Sequence, residues 1–141
     1  MNFSFSYPTW EEIPNIDLYL DQVLLYVNKV CEPISSKSDK GLTASMVNNY
    51  VKHGYLTKPD KKKYQRQQIA RLIAITTLKS VFSIQEIAQT LNTLQTETNS
   101  EQLYNAFVNY MNEGIDPENS IIQSSCQTIK LYHQTLALIK T

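Results

Sequence analysis

A chain of 141 residues, 42% of them apolar, with three Gly and five Pro, has the size and composition of one globular domain, and it excludes a disordered or collagen-like protein. Its 13 Lys and Arg balance 13 Asp and Glu, which excludes a polybasic or polyacidic chain overall. The charges are nevertheless segregated: residues 37–80 hold ten bases and two acids, a net +8, and the remainder holds three bases and eleven acids, a net −8.

In chain order, "TWEE" at Thr9 to Glu12 has capping-box spacing, but Pro14 limits it to one turn. From Asp17, the residues Leu20, Val23, Leu24, Val27, Val30 and Cys31 recur on one helical face, and Pro33 ends that helix. The stretch 32–41 is a loop by composition. Thr43 is placed to cap a short helix that turns Met46, Val47 and Tyr50 inward, with Gly54 just past its end. "YLTKPDKKKYQ" is where strands are expected: Pro59-Asp60 forms the turn of a hairpin spanning Tyr55 to Gln65.

Helix resumes at about Arg66, with Ile69, Leu72, Ile73 and Thr76 on one side. "SIQE" at Ser83 to Glu86 is a second capping box, opening a helix that buries Ile84, Ile87, Ala88, Leu91 and Leu94. The polar run 95–100 then marks a boundary. Two further amphipathic helices follow. One carries Leu103, Tyr104, Phe107, Tyr110 and Met111 and ends at Gly114. The other starts with Asp116 as N-cap and Pro117 in its first turn, and it carries Ile122, Ile129, Leu136 and Ile139 near heptad spacing.

A short exposed helix beside a basic hairpin suits duplex DNA, because cations on phosphates supply affinity and side-chain amides on base edges supply choice. Asn48 and Asn49 carry such amides. Lys52, Lys58, Lys61, Lys62, Lys63 and Arg66 supply cations, with Arg71 nearby. Ser45, Tyr55 and Tyr64 offer hydroxyls. Each has a plainer reading: Tyr50 as core, the asparagines as solvated polar residues, and the lysine run as an exposed turn.

"LTASMVNNYVKHGYL", "KKKYQRQQIARLIAI" and "LKSVFSIQEIAQTL" together resemble the MerR-type winged helix-turn-helix over about Leu42 to Leu94. Tyr50 falls on the second tyrosine of that family's recognition helix, and Gly54 and Leu56 fall on its Gly-Leu-Leu. Lys62 and Tyr64 fall on the Arg and second Tyr of its wing. Leu72 and Ile75 match Leu-x-x-Ile, and Phe82, Ser83, Glu86 and Ile87 match its last helix. Asn48 and Asn49 replace the usual Arg and first Tyr, Val81 replaces a Gly, and the wing lacks its Gly. "IPNIDLYLDQV" with "MVNNYVK" and "KKYQR" is similar, more narrowly, to a bacterial family of small proteins catalogued only as a domain of unknown function with a MerR-like core.

The resemblance implies a mainly α winged helix-turn-helix with a short β-hairpin wing and two C-terminal amphipathic helices. Residues 1–95 would form the MerR-like domain, and 96–141 a dimerising or core-packing segment. It further implies a sequence-specific transcriptional regulator working as a homodimer on duplex DNA. In that reading 43–52 enters the major groove, 55–65 lies on the backbone, and Tyr50 joins the contact set. The alternative is a non-catalytic protein-interaction module on a degenerate helix-turn-helix.

No cofactor, metal or catalytic motif is expected: the three glycines make no phosphate loop, and no nucleophile set has a local signature. His53 reads as a cation at a helix C-terminus, and His133 has no second ligand at metal spacing. Cys31 and Cys126 read as small buried hydrophobes in a reducing compartment. Neither a secretory start nor the roughly 18 apolar residues of a membrane helix is visible, so a cytoplasmic protein without a membrane partner is expected.

Overall fold

The computed structural model describes residues 4–34, 41–96 and 98–140. Most of the loop expected at 32–41 therefore lies outside the described residues. Thr9 and Glu12 exchange side-chain and backbone bonds as a capping box around the single turn Trp10–Glu12. A two-residue strand β1 (Leu18–Tyr19) then leads into α1 (Leu20–Val30). There follow α2 (Ala44–Lys52), a strand β2 (Lys63–Tyr64), α3 (Arg66–Leu78), α4 (Ile84–Gln95), α5 (Ser100–Glu113) and α6 (Ser120–Ile139). The molecule is mainly helical with one small antiparallel sheet.

α3 is the central element. It buries Ile69, Ala70, Leu72, Ile73, Ile75, Thr77 and Leu78, so apolar side chains occupy nearly its whole circumference. Such a helix needs neighbours on several sides, and α1, α4, α5 and α6 all pack on it. One buried cluster runs from Phe5 to Ile129, to which α5 gives Tyr104, Phe107, Val108 and Met111 and α6 gives Ile122, Cys126 and Ile129. The C-terminal helices thus complete the core of the N-terminal part.

The N-terminal segment closes this core. Asn112 accepts from the Tyr7 backbone N–H through Oδ1 and donates to its carbonyl through Nδ2, both at 2.9 Å, as a strand partner would. The Tyr7 hydroxyl lies 2.9 Å from Thr77 Oγ1, and the Tyr104 hydroxyl donates to the Pro8 carbonyl.

Three expectations are corrected. Tyr55 to Thr57 is not a strand: β2 pairs with β1, Leu18 opposite Tyr64 and Tyr19 opposite Lys63. Pro59 has no N–H to give a ladder, and the Thr57 and Lys58 carbonyls are taken by Gln68. Because Leu18–Tyr19 is extended, the first long helix begins at Leu20 rather than Asp17. α6 is capped by Asn119, whose Oδ1 accepts from Ile121 and Ile122, so Asp116 and Pro117 precede the helix. Its buried face is Ile122, Cys126, Ile129 and His133, and Ile139, at the far end of the heptad pattern, is exposed.

Candidate nucleic-acid interface

Thr43 Oγ1 accepts from the Met46 N–H and starts α2. Just before it, Asn28 clamps Leu42 from both sides: its Nδ2 donates to the Leu42 carbonyl at 3.0 Å and its Oδ1 accepts from the Leu42 N–H at 2.8 Å. Gly41, at φ +69, admits this clamp, since a Cβ there would stand 2.4 Å from Asn28 Oδ1. At the other end Gly54 adopts a left-handed conformation, and the Tyr55 and Leu56 N–H groups bond the Tyr50 carbonyl. With Val47 and Tyr50 buried, the opposite face presents Ser45, Asn48, Asn49 and Lys52, all exposed and spaced i, i+3, i+4, i+7.

The chain then runs along α3 as a stem. Arg71 Nε donates to the Tyr55 carbonyl at 2.6 Å. Buried Gln68 donates Nε2 to the Thr57 and Lys58 carbonyls at 3.0 and 3.3 Å and accepts from the Gln65 N–H at 2.7 Å. Asp60 and Lys63 exchange both backbone bonds across a two-residue turn formed by Lys61 and Lys62. Both have positive φ, 51° and 67°, the sign a type I′ hairpin turn requires. Asn-Gly is the sequence such a turn favours, and a left-handed non-Gly residue costs about 1 kcal/mol or more. The expected turn, at Pro59-Asp60, lies two residues too early.

Lys58, Lys61 and Lys62 are exposed. Lys63 is half-buried, with Nζ 5.4 Å from the centre of the Tyr19 ring. Tyr55 is half-buried and stacks on His53. Arg66 turns inward: its Nε donates to the Ile13 carbonyl and its guanidinium lies over Trp10. Tyr50 and Tyr64 are each only 3% exposed, and burial raises both phenol pKa values. They are core side chains, so the role on phosphate expected of them is withdrawn. Tyrosine is amphipathic and spacing does not separate its two uses. Gln68 and Arg71, which hold the stem, were not legible as anchors, because polar residues on a helix read as solvated.

Cys31 and Cys126 are buried thiols, each pushed up to about 12 by burial. Among the described residues, no group of three or more His, Cys, Asp or Glu could hold a metal ion. No helix there is long and apolar enough to cross a membrane.

No curated protein and no solved structure matches the chain. A family model described as "Domain of unknown function (DUF1836)" matches residues 8–107, taking in everything from the Trp10 turn through the first half of α5, including α2 and the lysine turn. That match covers more than half of the chain, and the protein belongs to this family.

Proposed function

We propose that the protein binds duplex DNA as a transcriptional regulator of MerR-like winged helix-turn-helix design. α2 enters the major groove and the Asp60–Lys63 turn lies on the phosphate backbone. The observation that carries this reading is the pairing of an exposed amide-bearing face on α2 with two lysines held at left-handed positions of a tight turn. Strain of that kind persists where the side chains serve a purpose the turn itself does not. Among the described residues no acid forms an ion pair with Lys58, Lys61 or Lys62, so these cations are available to phosphates. Asn48 and Asn49 supply the carboxamides that bond adenine edges bidentately.

Two copies pair, in this reading, through the second half of α6. There Leu131, Tyr132, Leu138 and Ile139 form an exposed apolar stripe, and the helix carries no Asp or Glu. A two-fold pair matches a pseudo-palindromic site and multiplies affinity.

Selection from random duplexes with the purified chain tests the reading. Enrichment of a motif whose preferred bases change with Asn48→Ala is expected. If no duplex is retained at low salt, the DNA reading falls. A protein-interaction module then takes its place.

A further inference from the structure

Behind the stem, a cavity of about 180 Å3 lies among α3, α4, α5 and α6. Leu56, Leu78, Leu94, Phe107 and Cys126 give it a buried apolar floor, and exposed Thr57, Gln67, Asn92 and Gln95 form its rim. One charged side chain lines it, Arg71. The Nε of Arg71 is committed to the Tyr55 carbonyl. Its two Nη groups have no acceptor among the described residues, and no acid pairs with it. Burial disfavours its charge and draws its pKa below the ordinary value. A half-buried cation without a counter-charge is costly, and an anion brought to it offsets that cost.

The size of the cavity limits the occupant. An apolar cavity of about 150 Å3 takes up benzene, so this one accommodates a single six-membered ring or a chain of about six carbons. We infer that the cavity binds a small apolar carboxylate, an aromatic or short-chain acid whose hydrocarbon part fills the floor and whose carboxylate engages the free Nη donors of Arg71. A guanidinium presents paired donors in the geometry a carboxylate accepts. Arg71 and Gln68 line the cavity and also hold the carbonyls of Tyr55, Thr57 and Lys58. A bound acid therefore acts on the stem that carries the lysine turn. The site stands without the DNA reading; only this coupling rests on it.

The test is an NMR titration of the full chain with benzoate, hexanoate and the uncharged benzamide. At least one acid is expected to give saturable shifts centred on α3 around Arg71 and on α5 around Phe107, with benzamide at least tenfold weaker. Arg71→Leu should erase the preference for acid over amide. Because Arg71 also anchors Tyr55, Ala74→Leu provides a control that fills the cavity from α3 with Arg71 in place, and it should abolish binding with the fold kept. No saturable shift with either acid at millimolar concentration overturns the inference. So does equal binding of benzamide, or undiminished binding by folded Ala74→Leu. Duplex affinity should differ several-fold with and without bound acid. If it does not, the coupling fails while the titration still decides the site.

Discussion

Tyr50 carries its hydroxyl into the core, where among the described residues no group accepts from it or donates to it. A buried hydroxyl left unsatisfied costs about 1–3 kcal/mol, and replacing it with an isosteric apolar group removes that cost. Tyr50→Phe should therefore raise the unfolding free energy by about 1 kcal/mol in a denaturant titration. It should leave duplex affinity unchanged, whereas a phosphate contact through this hydroxyl would weaken binding. His133 is the other residue whose setting has a measurable consequence. It is buried on α6, 3.0 Å from Ser80 Oγ and edge-on to Phe5 and Tyr132. Burial first, and Lys140 second, hold its pKa below the usual histidine value. The unfolded chain thus takes up a proton, near pH 6.5, before the folded chain does. Stability from this group is complete above that pH and is lost as pH falls through the unfolded and then the folded pKa. The thermal midpoint should drop between pH 7.5 and 5.5, and His133→Gln should shrink the drop. An unchanged or rising midpoint would contradict this account.

The elements show which patterns sequence makes visible. Helices were legible because period and cap agree: Ser83 and Glu86 form the reciprocal box their spacing predicts, and Thr43 and Gly54 bound α2. The strand at Lys63–Tyr64 fell inside the expected hairpin, but its partner was not legible, because Leu18–Tyr19 is two residues long and meets it across more than 40 positions. No alternation develops over two residues. The start of α6 was expected at Asp116, and the cap is Asn119, three residues on; Asp and Asn both cap helices, so Asp116 before Pro117 looked sufficient. For the candidate site, the exposed face of α2 followed from its spacing, whereas the inward turn of Arg66 and Arg71 depends on Ile13, Trp10 and Tyr55, which only the fold brings near. The lysine turn yields a sharper prediction. Lys61→Asn with Lys62→Gly gives the turn its preferred residues and should stabilise the protein by about 1 kcal/mol or more. If the lysines are held there for phosphate, the same change should weaken duplex binding. Gain of stability with unchanged affinity would detach the turn from DNA.

For the whole molecule, the charge segregation along the chain is matched by different surroundings. The basic stretch holds α2, the stem and the turn, while the acidic remainder includes α5, which the shared core holds against α3. On the proposed reading, the pairing stripe of α6 gives a dimer whose stability depends on exposed apolar contact. Leu131→Glu with Leu138→Glu should then shift sedimentation from dimer to monomer with the circular dichroism spectrum preserved. A monomeric parent chain would remove the pairing. With Arg66 and Arg71 turned inward, the phosphate contacts of the proposed reading rest on Lys52, Lys58, Lys61, Lys62 and Lys63, about five per chain.

The salt dependence of duplex affinity tests the central claim most directly. Log affinity against log salt should fall with a slope of about −4 to −5 for each bound chain. In Lys61→Ala with Lys62→Ala, the slope should become shallower by about 2. A duplex affinity absent at low salt, or a slope that the double variant leaves untouched, would contradict it.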